Sequence, residues 1–368
     1  MPSPILPPEV IDLIIDNLHD QPSTLRACSL VGRNWLDGSR HHLFNRIYLT
    51  ARNLGVFRDL LKSPSNTLSF HLRHLHATGF QAPDLIQLLP LLPALSHLHW
   101  LSIYRNLILH DDAVLGAGTF PLIRSLTLSR TSFTSRPGLS DFLSRFPSLK
   151  KLALDPVSVS QRESPTLSAL TNLNLDTLKM TNNLGLLRWL RWTGFALRAQ
   201  SIELNFEEME MEVSEFFDAL GPQLERLTLK FRNPRQLTSF SEESRLPHNT
   251  RLRCLRIGQA FCILGESDIG VSLSLARLLR HLESSGIQEL IFDTVLVHPQ
   301  LNWHHSPPQE VAAILDGGNF ARLRKIVFNG PWDRPDDILR KQFQSIVLAL
   351  FPRQGSRGTI YVNTHSFE

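Results

Sequence analysis

Residues Ile123–Leu128 read IRSLTL and residues Leu149–Leu154 read LKKLAL, and this form, Φ-x-x-Φ-x-Φ with Φ apolar, decides the fold. It recurs as LRHLHA from Leu72, LHWLSI from Leu98, LDTLKM from Leu175, AQSIEL from Ala199 and LERLTL from Leu224. It continues as LRCLRI from Leu252, IQELIF from Ile287 and LRKIVF from Leu323, with a last relative, GTIYVN, around Ile360. Taking the fourth position as the marker, the first six intervals are 26, 25, 26, 26, 24 and 25 residues, and the later ones 28, 35, 36 and 34. So regular a run of intervals marks a structural repeat, and the late lengthening marks longer insertions between units.

Within each block apolar and polar residues alternate, the period of a strand. Between blocks, Asp84–Leu92, Leu139–Phe146, Val213–Leu220 and Ile269–Leu282 carry apolar residues at helical spacing. Pro or Gly turns often precede the next strand, as in RFPSLKKL and LGPQLERL. Strand, loop, helix and turn at about 25 residues resemble the leucine-rich repeat. The resemblance covers roughly residues 70–368 and implies a solenoid of about ten to eleven units. The Asn that usually follows the third Φ stands at Asn106 and Asn183 but is missing from most units, so the turns must be satisfied in other ways. Helices about 10 Å wide behind strands about 4.8 Å apart bend such an array toward its strands, which predicts a horseshoe with a concave parallel sheet.

On this register the residues between the Φ positions face outward. They name a candidate target-binding set: His76, Trp100, Tyr104, Asp155, Lys179, Glu203, Arg226, Lys230 and Arg256. Charged residues on such a face also serve plain solubility. Trp100 and Tyr104 are the strongest individual candidates, because large aromatics on an open strand face are characteristic of recognition surfaces. A one-residue slip would bury both.

Residues 1–49 lack the repeat. In LPPEVIDLIIDNL the residues Val10, Leu13, Ile14 and Leu18 fall at helical spacing, and Pro8 suits a first helical turn. Ser23 is placed to cap a second helix carrying Leu25, Cys28 and Val31, and Asn34–Leu43 supplies a third with Trp35. Three short helices bury too little surface to be robust alone. LPPEVIDLIIDNL followed by TLRACSLVGRNWLDGSRHHLF resembles the F-box, in a style similar to the large F-box families of mushroom-forming fungi. The resemblance implies an α/β chain divided as F-box (1–49), linker and first repeat helix (50–70) and solenoid (71–368). It implies docking on a Skp-type adaptor, and through it on a cullin–RING ligase, by Leu6, Pro7, Glu9, Val10, Ile14, Leu18, Val31 and Trp35. The repeats would then select the protein to be ubiquitylated. For Val10, Leu18, Val31 and Trp35 the alternative role is to hold the three helices together. The other reading of the whole is an F-box/repeat scaffold that does not direct ubiquitylation.

Composition agrees with an ordinary soluble protein: 42% hydrophobic and 20% charged residues, with a formal net charge of +4. The basic residues, mostly Arg with only seven Lys, are spread without a basic block, so nothing specific supports nucleic-acid binding. Cys28, Cys254 and Cys262 are an odd, scattered set, which favours a reducing cytoplasmic or nuclear compartment over a disulfide framework. The most apolar run, Leu85–Leu101, is broken by Pro90, Pro93, His97 and His99, and Glu9 and Asp12 do not suit a signal peptide, so no membrane association is expected. His71, His74, His76, His97 and His99 invite a metal reading, but no Cys or carboxylate is spaced to complete a site. The acidic run Asn205–Glu215 (NFEEMEMEVSE) reads as a solvated loop and first helical turn. No nucleophile elbow, dinucleotide or P-loop pattern is present. The sequence therefore predicts a non-enzymatic interaction protein without cofactor or metal.

Overall fold

The computed structural model describes residues 6–64, 66–95, 97–109, 118–159, 173–181, 184–193, 198–206, 216–217, 220, 223–243, 251–263, 268–282, 286–296, 309–330 and 337–363. The chain divides into two compact units, Met1–Leu173 and Asn174–Glu368.

Unit 1 opens with three helices, α1 (Pro8–Asn17), α2 (Pro22–Val31) and α3 (Arg33–Asn45). Pro8 and Pro22 occupy first-turn positions, where a missing N–H has no intrahelical partner to lose. Pro22 starts α2 two residues earlier than expected, so Gln21 is the N-cap and Ser23 lies inside the helix. Ile11, Ile15 and Leu25 form the buried cluster of this module, with Leu18, Trp35 and Leu43 packed against it. The inward stripe of α1 is thus Ile11–Ile15–Leu18, which packs Leu18 inward and leaves Val10, of the stripe expected to meet an adaptor, exposed and Ile14 half-buried. Ile15 meets α3 where Gly38 leaves room: a Cβ there would stand 3.0 Å from Ile15 Cδ1. His42 Nε2 and Asp16 Oδ1, 2.8 Å apart, close the α1–α3 contact at the surface.

α3 runs directly into β1 (Arg46–Leu49), which falls inside the span the sequence reading assigned to the helical module. β1 is the first strand of a parallel sheet, pairing Ile47 with Leu75 of β2 (His74–Thr78). The sheet continues through β3 (Trp100–Leu109), β4 (Ser125–Phe133) and β5 (Lys151–Val159), each parallel to its predecessor. The marker residues align across it as Leu75, Leu101, Leu126 and Leu152. All four are at most 1% exposed. Behind the strands lie helices at Leu54–Lys62, Ala82–Leu88 and Arg136–Ser144. Leu89–Ala94, containing Pro90 and Pro93, continues as a 3-10 helix because those prolines cannot sustain the α-helical ladder. Ser135 caps the Arg136–Ser144 helix by accepting from Gly138 N at 3.0 Å.

Among its described residues, unit 2 repeats the plan with seven parallel strands: β6 (Thr177–Thr181), β7 (Ser201–Phe206), β8 (Arg226–Phe231), β9 (Cys254–Ile263), β10 (Glu289–Leu296), β11 (Lys325–Asn329) and β12 (Ile360–Asn363). Leu178, Ile202, Leu227, Leu255, Leu290, Ile326 and Ile360 share one row, the register read from the block spacing. The longer late intervals hold longer helices, Asp268–Arg280 and Asp337–Leu350. Phenylalanines fill the space between layers: Phe206, Phe231 and Phe240 lie 5.4–5.7 Å apart by ring centroid, and Phe328 sits 5.4 Å from both Phe292 and Phe351.

Parallel strands one per repeat, a buried Φ ladder and helices behind make each unit a leucine-rich-repeat solenoid. Its strands bend part-way along. β3 and β4 slip register between Tyr104 and Leu107, β9 and β10 between Phe292 and Thr294, and Arg130 in β4 takes φ of 52°. Asn183 and the side chain of Asn106 lie outside the described residues, as do 207–215 of the acidic run and most of Val213–Leu220.

Candidate functional site

The outward face of unit 1 is aromatic and histidine-rich at its start. Tyr48 stacks on His76 with centroids 4.7 Å apart, and His76 on Tyr104 at 6.2 Å. His74 lies against Trp100 at 5.4 Å, and Trp100 Nε1 donates to Ser102 Oγ at 2.8 Å. Parallel in-register pairing brings these residues together from positions one repeat apart, and Trp100 and Tyr104 are both half-buried on the outward side. Burial pushes the pKa of His76 and of His74 below the usual histidine range, and Arg46 adds to the effect in both. His76 Nε2 is buried without a hydrogen-bond partner, which also favours the neutral ring. Tyr48 was missed by the sequence reading. RIYLT carries the Φ alternation at Ile47 and Leu49, but β1 abuts α3 with no turn signal to set it apart.

The outward face of unit 2 is ionic. Glu203 Oε1 accepts from Lys230 Nζ at 2.8 Å and pairs with Lys179 Nζ at 3.2 Å. Burial pushes the Glu203 pKa up, but the hydrogen bond and charge of Lys230, then Lys179, outweigh it and hold the carboxyl below its usual range. Arg256 Nε donates to both oxygens of Asp293, at 3.1 and 2.9 Å. Asn329 Nδ2 donates to Asp293 Oδ1 at 2.8 Å, and Asn363 Nδ2 to Asn329 Oδ1 at 3.1 Å. Lys325 reaches Glu289 at 2.7 Å and lies 5.7 Å over the Tyr361 ring. Four of the proposed target-binding charges, Lys179, Glu203, Lys230 and Arg256, are therefore paired within the face. Arg226 is exposed, and Asp155 is half-buried on β5. Beside Arg226, the Cys254 thiol is pushed up to about 11 by burial and then by Glu289, so it stays protonated.

On the helical module the proposed adaptor-facing residues separate. Leu18 and Trp35 pack on the internal cluster, and Ile14 is half-buried. Leu6, Pro7, Glu9, Val10 and Val31 are exposed. Leu13 and Leu30, 63% and 86% exposed, join Val31 at 68% as the most open apolar side chains of the module. Their signal was in the sequence: both stand beside residues already assigned to the motif. Pro7 also carries structure, its carbonyl accepting from Val10 N and Ile11 N to start α1.

No family model matches this sequence, and no curated protein matches it either. Among solved structures, the leucine-rich repeat-containing protein LegL7 from Legionella pneumophila is similar, with 13% identity over 86% of this chain and 89% of that one, at a TM-score of 0.42. Among the described residues no helix is long and apolar enough to cross a membrane, and no group of three or more His, Cys, Asp or Glu is placed to hold a metal ion.

Proposed function

We propose that this chain is a protein-interaction receptor of the F-box and leucine-rich-repeat type. Its helical module docks on a Skp-type adaptor of a cullin–RING ubiquitin ligase, and its strand faces bind the protein to be ubiquitylated. The observation that carries the reading is the state of α1 and α2. Their module already has its own small core in Ile11, Ile15 and Leu25, yet Val10, Leu13, Leu30 and Val31 remain open to solvent. Apolar side chains exposed together on neighbouring helices mark a surface that another protein covers. The motif spacing that resembles the F-box names that protein.

Co-expression with a Skp-type adaptor tests it. The intact chain is expected to capture the adaptor. Val10→Asp combined with Val31→Asp, both solvent-facing and so compatible with folding, is expected to abolish capture while the circular dichroism spectrum stays unchanged. Undiminished capture by the double variant would sink the proposal. If the adaptor is captured but the abundance of repeat-bound partners does not change on removing the chain, the scaffold reading holds instead.

A further inference from the structure

The strands of unit 1 begin in a row that the sequence conceals. His99 N and Trp100 N donate to Arg73 O, Arg124 N and Ser125 N to His99 O, and Lys150 N and Lys151 N to Arg124 O. Arg73, His99, Arg124 and Lys150 therefore follow one another in the positions that immediately precede the adjacent strands β2 to β5. The next row, in strict register, is Arg46, His74, Trp100, Ser125 and Lys151. Seven basic or histidine residues thus stand in two neighbouring rows that contain no carboxylate. The repeat does not require this. The equivalent first row of unit 2 is Asp176, Gln200, Glu225, Arg253, Gln288 and Arg324.

The side chains are available. Arg46, Arg73, His99, Arg124 and Lys151 are exposed, and among the described residues Arg46, Arg73, Arg124 and Lys151 have no ion-pair partner. Their charges act on one another's surroundings: after burial, Arg46, Arg73 and His99 each push the His74 pKa further down.

We infer that this strand-start edge of unit 1 is a docking track for an extended, carboxylate-rich segment of a partner protein, laid across β2–β5. Charge complementarity selects the occupant, and geometry sets its length. Four strands about 4.8 Å apart span about 14 Å, which an extended chain covers in roughly five residues, with same-face side chains about 6.7 Å apart. Two or three carboxylates on alternate residues meet the row, and the flexible Arg and Lys stems absorb the mismatch in spacing. Arg guanidinium groups suit carboxylates by bidentate pairing, and Trp100 offers an apolar neighbour to the intervening residues. Single-stranded nucleic acid fits less well. It needs open ring faces for its bases, whereas Tyr48, His76 and Tyr104 stack on one another and Trp100 lies against His74.

This inference rests on the reading of the strand faces as an interaction surface and is independent of the adaptor. Fluorescence polarisation with the full chain tests it, using a labelled octapeptide alternating Glu and Ser, its Gln counterpart, and a labelled oligothymidylate of eight nucleotides. The Glu peptide is expected to bind, to weaken with added salt, and to lose at least tenfold in affinity on combining Arg73→Gln with Arg124→Gln. The Gln peptide should not bind, and Lys62→Gln, an exposed charge on a helix behind the sheet, should leave affinity unchanged. Undiminished binding by the double variant, equal binding of the Gln peptide, no binding of the Glu peptide, or tighter binding of the oligothymidylate overturns the inference. The double variant should still capture the adaptor, so loss of adaptor capture by the unmodified chain counts against the ligase reading alone.

Discussion

Asp293 shows what a single side chain does on a solenoid face. It is 8% exposed and accepts from Arg256 Nε on β9 and from Asn329 Nδ2 on β11, so one carboxylate ties three consecutive strands together. Removing it leaves a half-buried guanidinium and a buried amide without that acceptor. Asp293→Ala is expected to lower stability by about 2 kcal/mol, read from the urea midpoint of the full chain. Asp293→Asn should recover part of the loss, because its carbonyl can still accept from Asn329 while offering Arg256 no charge. Glu203 plays a similar part between Lys179 and Lys230. These side chains stand out in the sequence only as outward-facing positions. Their pairing depends on which repeat lies beside which, and that follows from the register.

At the scale of the element, the α1–α3 crossing is the sensitive point of the helical module. Gly38 lets α3 approach α1, with Ile15 Cδ1 and Cγ2 at 3.0 and 3.4 Å from where its Cβ would be. Gly38→Ala is expected to stay within about 1 kcal/mol of the unmodified protein, because the flexible end of Ile15 can yield and Ala gains helix propensity over Gly. Gly38→Leu cannot be absorbed in that way. It should cost about 1–3 kcal/mol by overpacking and weaken adaptor capture through the displaced α1, both measurable on the same preparation. Helical periodicity located α1 but did not by itself assign its inward face. Val10–Ile14–Leu18 and Ile11–Ile15–Leu18 are both acceptable apolar stripes, and only contact with Gly38 and Leu25 distinguishes them. The strands were more legible, because period-2 alternation leaves two faces and the Φ ladder buries one of them.

At the scale of the whole molecule, the described histidines with lowered pKa values all lie in unit 1. His41, His71, His74 and His76 all have pKa values below the usual histidine range, with burial the first cause in each. The unfolded chain takes up protons near the ordinary value of about 6.5, before the folded state does. Their contribution to stability is therefore complete above that pH and is lost as pH falls through the lower folded-state values. The urea midpoint of the full chain, followed by tryptophan fluorescence, should be lower at pH 5 than at pH 7.5. His76→Gln should flatten that difference. Below the carboxylate range Glu203 adds a loss of the same sign.

Alone, the sequence determined the repeat, the strand register and the buried row. Hydrophobic spacing is a local property of the chain, and burying one face leaves a single register. It also placed three helices before the array, together with the motif resemblance from which an adaptor partner is proposed. Which face of α1 stays open, which charges neutralise each other and where Arg73, His99, Arg124 and Lys150 meet were decided by the tertiary structure. Those residues stand 25 or 26 positions apart, so in the sequence they look like scattered charge. Stacking the repeats brings successive members of the row to about 4.8 Å, the distance between neighbouring strands, and turns a weak overall excess into a concentrated basic edge.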